Sequence, residues 1–147
     1  MTLNELRDEI AEINEEKGWT TTGRSFGDQM ALIHTEVSEA FEDYRDGRPP
    51  NETRFTYNMN DIPADLQWYG SHTMKVGSEE EKQYEQWWND MKAEGYLKPE
   101  GIPSELADII VRVLDTAGEY GIDMDEAMSL KLRHNRTRPH RHGGKVV

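Results

Sequence analysis

Between Pro103 and Gly121 the chain reads "PSELADIIVRVLDTAGEYG", and its apolar residues Leu106, Ala107, Ile109, Ile110, Val111, Val113, Leu114 and Ala117 cover much more of a helix than one surface stripe. A helix apolar on so many sides asks to be covered from several directions. The pattern predicts a central helix, opened by Ser104 as N-cap and closed by Gly121. What remains polar is a narrow strip of Glu105, Asp108, Arg112 and Asp115. Charges on a helix otherwise suited to burial need partners, because an unpaired buried charge is very costly.

A second acidic pair, Glu36-x-x-Glu39, lies in another helical stretch, "ALIHTEVSEAFEDYR". A spacing of three puts both carboxylates of each pair on one side of a helix, with Cβ atoms roughly 5–6 Å apart. One Glu-x-x-Glu in so acidic a chain reads as an ordinary solvated face, but two pairs beside apolar stripes do not. If the helices face each other, Glu36, Glu39, Glu105 and Asp108 form an oxygen-only site for a hard divalent cation. Mg²⁺ suits such a site, with Mn²⁺ as a substitute. A di-iron bundle would need Glu-x-x-His elements, and the sequence has none. His34 points elsewhere on its helix, and His134, His140 and His142 read as tail residues.

The rest of the chain is also helical in period. Leu3, Leu6, Ile10 and Ile13 follow Thr2, a plausible N-cap, and predict a helix ending near Lys17-Gly18. After "TTTGRSFGD" a second helix runs to about Asp46-Gly47, with Met30, Ile33, Val37, Ala40, Phe41 and Tyr44 as its apolar stripe and Glu36 at the edge. Residues 49–77 show no period and read as a long loop with one helical turn. A charged helix from Ser78 to about Glu94 carries Tyr84, Trp87, Trp88 and Met91 on one side. Its aromatic residues suit hydrophobic packing, a subunit contact, or a lid over a bound base. Asp123, with Glu126 three residues on, resembles a capping box for the last helix, which Pro139 ends. No strand-like alternation or repeat stands out. The expectation is an all-α helical bundle in a single domain, 1–147, with a long insert at about 49–103 and a basic C-terminal arm at about 131–147.

Charge narrows the partners. The net charge is −12, yet residues 131–147 hold six Lys/Arg and no acid, while all 29 acidic residues precede them. An acidic body of this kind repels the backbone of polymeric nucleic acid, and a small phosphorylated ligand bridged by metal is easier to accommodate. With no cysteine there is no disulfide or thiolate site, which fits a reducing cytoplasm. The first residues lack a signal-peptide pattern, and no apolar run of about 20 residues offers a membrane span. A P-loop nucleotidase is excluded because no Gly-x-x-x-x-Gly-Lys-Ser/Thr occurs.

On the last helix Lys131 and Asn135 are four apart and share a face, and Arg138 extends it if helical geometry persists. Such cations neutralise phosphate oxygens that a metal does not reach, or simply complement the helix dipole. These segments, "FGDQMALIHTEVSEAFEDYRDGR" and "GIPSELADIIVRVLDTAGEYGIDMDEAMSLKLRHNRTRPHRHGGK", resemble the MazG-type all-α nucleoside triphosphate pyrophosphohydrolases, particularly small single-domain phage-associated or bacterial members. The resemblance covers the second helix and the C-terminal third, while residues 49–103 are longer than usual. It implies Mg²⁺-dependent hydrolysis of a (deoxy)nucleoside triphosphate to monophosphate and pyrophosphate. Glu36, Glu39, Glu105 and Asp108 would be metal ligands, and Glu36 or Glu39 would activate water. Lys131 and Arg138 would clamp phosphate, with Asn135 holding the nucleotide. It also implies a homodimer or homotetramer with sites completed by neighbouring subunits. The alternatives are a phosphoribosyl-ATP pyrophosphohydrolase-like enzyme and a non-enzymatic acidic helical interaction module.

Overall fold

The computed structural model describes residues 1–19 and 23–139, and these are mostly helical with one two-stranded sheet. In chain order the elements are α1 (Leu3–Lys17), α2 (Phe26–Arg45), β1 (Arg54–Thr56), α3 (Glu79–Ala93), β2 (Lys98–Glu100), α4 (Ile102–Glu119) and α5 (Met124–Thr137). Contacts gather them into two compact units, Met1–Glu39 with the described chain from Glu105 onward, and Ala40–Ser104. The unit boundaries fall inside α2 and α4.

Local chemistry sets the helix ends of the first unit. Thr2 Oγ1 accepts from Glu5 N and Glu5 Oε2 accepts from Thr2 N, the reciprocal box that satisfies two orphan donors of α1. At the other end Gly18 adopts φ 68°, where an L side chain is strained, and Trp19 N donates back to Asn14 O. Ser25 and Asp28 make the same reciprocal pair at the start of α2. Asp123 caps α5 by accepting from Glu126 N.

The α1 and α5 helices then meet at their N-termini. Leu3 N and Asn4 N donate to the Asp125 carboxylate, Asn4 Nδ2 donates to Asp123, and Arg7 Nη1 donates to Ile122 O. Among the described residues of this unit Ile10, Leu114 and Ala117 are the buried apolar ones.

Two expectations about these helices need correction. The α4 helix begins at Ile102, and Ser104 is not its cap, since its hydroxyl donates to Pro99 O. Nor is α4 covered all round: Leu106, Ile110 and Val111 are exposed. On α2 the expected stripe is turned partly outward, with Val37 and Phe41 exposed while Gln29 and Glu36 are buried. Helical period shows that a face is apolar, but not that the same chain supplies its cover.

In the second unit, β1 and β2 pair antiparallel, with Arg54 opposite Glu100, Phe55 opposite Pro99 and Thr56 opposite Lys98. The strand β1 corrects the reading of 49–77 as a loop with one helical turn, while the turn itself is present as a 3-10 helix at Met59–Asp61. Strands of three residues, far apart in sequence, are too short to show alternation. Gly101, at φ 110°, lies so close to Glu52 O that an added Cβ would fall 2.7 Å from it, so the turn from β2 into α4 needs glycine. Ile62, Met91 and Leu97 form the core, with Phe55, Tyr57, Met59, Trp87, Trp88 and Tyr96 packed around it. As expected, α3 begins after Ser78, whose hydroxyl accepts from Glu81 N, and it presents Met91 inward.

Candidate functional site

On α2, Gln29, Leu32 and Glu36 are separated by three and four residues. Seven residues make nearly two turns, so Gln29 and Glu36 share a face about 10 Å apart along the axis. On α4 the corresponding strip is Glu105, Asp108, Arg112, then Asp115 and Thr116. Side-chain contacts match the two strips in opposite directions. Glu36 meets Glu105, Asp108 and Arg112, while Gln29 shares a cavity with Arg112, Asp115 and Thr116. All these residues belong to the first unit.

At one end of this seam the two helices converge their carboxylates. Glu36, Glu105 and Asp108 each offer one oxygen, and the three oxygens lie within 4.8 Å of one another. Glu36 is 8% exposed and Glu105 9%. Arg112 Nε donates to Glu36 Oε1 at 3.0 Å, a charge-assisted bond that fixes this carboxylate from one side. The donor set is oxygen only and comes from two helices, which is the chemistry a hard divalent cation requires.

Of the residues singled out from the sequence, three of the four motif carboxylates come together. Glu39 remains exposed on α2, outside the group of three. Lys131, Asn135 and Arg138 are exposed at the C-terminal end of α5, which packs on α1. They belong to α5 and its C-cap, not to the two helices that carry the carboxylates. His34 and His134 are exposed, whereas His140, His142 and most of the basic ending lie outside the described residues.

In the sequence Arg112 stands in the charged strip without an evident role, and the charge pattern does not mark Gln29. Gln29 is 3% exposed, and neither its Nε2 nor its Oε1 has a hydrogen-bond partner. A buried polar group left unpaired costs about 1–3 kcal/mol. The cavity beside it is lined by Arg24, Leu32, Arg112, Asp115 and Thr116 and is too constricted for a water-sized sphere. The signal available in the sequence was spacing: an amide seven residues before Glu36 shares the carboxylate's face.

Comparison of the chain with family models, with curated proteins and with solved structures finds no match. Among the described residues no helix is long and apolar enough to cross a membrane.

Proposed function

We propose that this protein hydrolyses (deoxy)nucleoside triphosphates between the α and β phosphorus atoms, giving monophosphate and pyrophosphate with the aid of Mg²⁺. The observation that carries this reading is the meeting of Glu36, Glu105 and Asp108 from two helices. The resemblance of these segments to MazG-type pyrophosphohydrolases supports the same reaction. Mg²⁺ commonly binds through a few carboxylates together with substrate phosphates, so three oxygens on α2 and α4 fit it. Bound there, it would supply Lewis-acid polarisation of phosphate oxygens and a more acidic water.

The chain's own groups have separable tasks in this reading. Arg112 positions Glu36 through its Nε bond. Glu39, one turn further along α2 and outside the trio, is the carboxylate available to accept a proton from the attacking water. Lys131, Asn135 and Arg138 engage phosphate and sugar from the α5 of a second copy. The exposed Val37, Leu106 and Ile110, on the helices that carry the carboxylates, support such a homo-oligomer.

Those exposed side chains also favour a competing reading, an interaction module without catalysis. The two are separated by incubating the protein with each dNTP and Mg²⁺ and identifying the products chromatographically. Equal amounts of dNMP and pyrophosphate are expected. Accumulation of dNDP and orthophosphate would overturn the proposed register, and absence of turnover would favour the interaction module.

A further inference from the structure

Resting on that nucleotide reading, we infer that Gln29 reads the hydrogen-bonding edge of the nucleobase and so sets which nucleotide is preferred. The seam between α2 and α4 has carboxylates at one end and the Gln29 amide at the other, about two helical turns away. A nucleotide whose phosphates engage the carboxylate end extends its sugar and base over a comparable length.

The polar groups around the cavity are not equivalent. Thr116 Oγ1 donates to Arg112 O, Asp115 Oδ1 accepts from Asn14 Nδ2, and Arg112 Nε is bound to Glu36. Gln29 alone among these is buried with both amide atoms unpartnered. A primary amide presents an acceptor and two donors in one plane, which is the complement of the adjacent donor and acceptor on a base edge. Leu32 provides an apolar wall beside it. Because the cavity is too narrow for a water-sized sphere, a base enters only as a wall side chain moves. Arg24 is the exposed residue of that wall.

The test compares wild type with Gln29→Leu, which removes the stranded amide at similar size. Gln29→Met, unbranched, is the second variant should Leu disturb folding. Calorimetry with the four dNMPs and Mg²⁺ measures base preference in binding, and a dNTP hydrolysis panel is run alongside. Wild type is expected to rank the four bases, and loss of the amide is expected to flatten the ranking about tenfold or more, with a melting temperature equal to or above wild type. An unchanged ranking in a folded variant, or no ranking in wild type, overturns the inference. If dNTPs are cleaved while the ranking survives the substitution, the role of Gln29 falls and the hydrolase stands. If dNMP binding is base-dependent through Gln29 but no dNTP is cleaved, the hydrolase falls and the binding role stands. Neither binding nor cleavage overturns both.

Discussion

Arg112 on α4 donates through Nε to Glu36 Oε1 on α2, and this bond ties the charged strips of the two helices within the first unit. The Glu36 side chain is only 11% exposed, against 37% for Arg112. Arg112→Met should therefore leave a buried carboxylate without its guanidinium and destabilise the fold by about 1–3 kcal/mol, read as a lower urea midpoint. Added Mg²⁺ should recover part of the loss, because a cation at the cluster replaces the missing charge. An unchanged midpoint would mean that the pair is a surface contact of little worth.

The carboxylates should divide into two kinds. Wild type is expected to gain stability with Mg²⁺ as RT ln(1 + [L]/Kd), about 2.7 kcal/mol at one hundred times Kd. Asp108→Asn and Glu105→Gln should lose most of that gain at matched ionic strength. Glu39→Gln should keep it and lose turnover, since Glu39 lies outside the trio. Thermal melts in chelator and in Mg²⁺, with Na⁺ as control, separate these outcomes.

Acid should loosen the junction of α1 and α5. The Asp123 carboxyl is held below its ordinary value of 3.8, chiefly by accepting from Glu126 N and then from Asn4 Nδ2. A depressed folded pKa means that the unfolded chain binds more protons, so this contribution is present above pH 3.8 and disappears as pH falls through the folded value. Asp123→Asn should flatten the acid limb of a melting-temperature profile. A profile superimposable on wild type would remove Asp123 from the account.

At the alkaline end the sensitive group is Tyr84. Burial among the aromatic rings, and then its hydrogen bond with Tyr57, push its hydroxyl up to about 12. A raised folded pKa contributes stability that is fully present below the unfolded value of 10 and is lost between there and about 12. An ultraviolet titration should show a late-ionising tyrosine that vanishes in Tyr84→Phe.

The second unit rests on a small core, so truncating it should be costly. Leu97, 3% exposed, packs within the cluster that includes Trp87 and Trp88. Leu97→Ala should cost about 2–5 kcal/mol and shift tryptophan emission to the red as those rings gain water. A loss under 1 kcal/mol would show that the cluster collapses to fill the space.

Much of the helical frame was legible because it is written in short-range chemistry. Thr2 with Glu5, Ser78, and Asp123 are caps whose partners lie three residues away, and such pairs need no knowledge of the fold. The pairing of Arg54 with Glu100 was not legible, since three-residue strands have no period to read. For the site, spacing brought out Glu36, Glu105 and Asp108, because a step of three puts both carboxylates of a pair on one side of a helix. It did not separate Glu39 from the others. One step of three along a helix turns about 60° short of a full circle, enough to leave Glu36 buried and Glu39 in solvent. Gln29 is not legible for the opposite reason: a neutral amide carries no charge, and what marks it in the fold is a buried side chain without a partner.

The division of the chain inside α2 and α4 also sorts the residues by kind. Every carboxylate of the cluster lies before Ala40 or after Ser104, and the aromatic unit between contributes none of them. Substitutions in the intervening unit can therefore accumulate without replacing a cluster carboxylate. The charge constellation and the aromatic core thus occupy separate stretches of sequence, and altering one leaves the residues of the other in place.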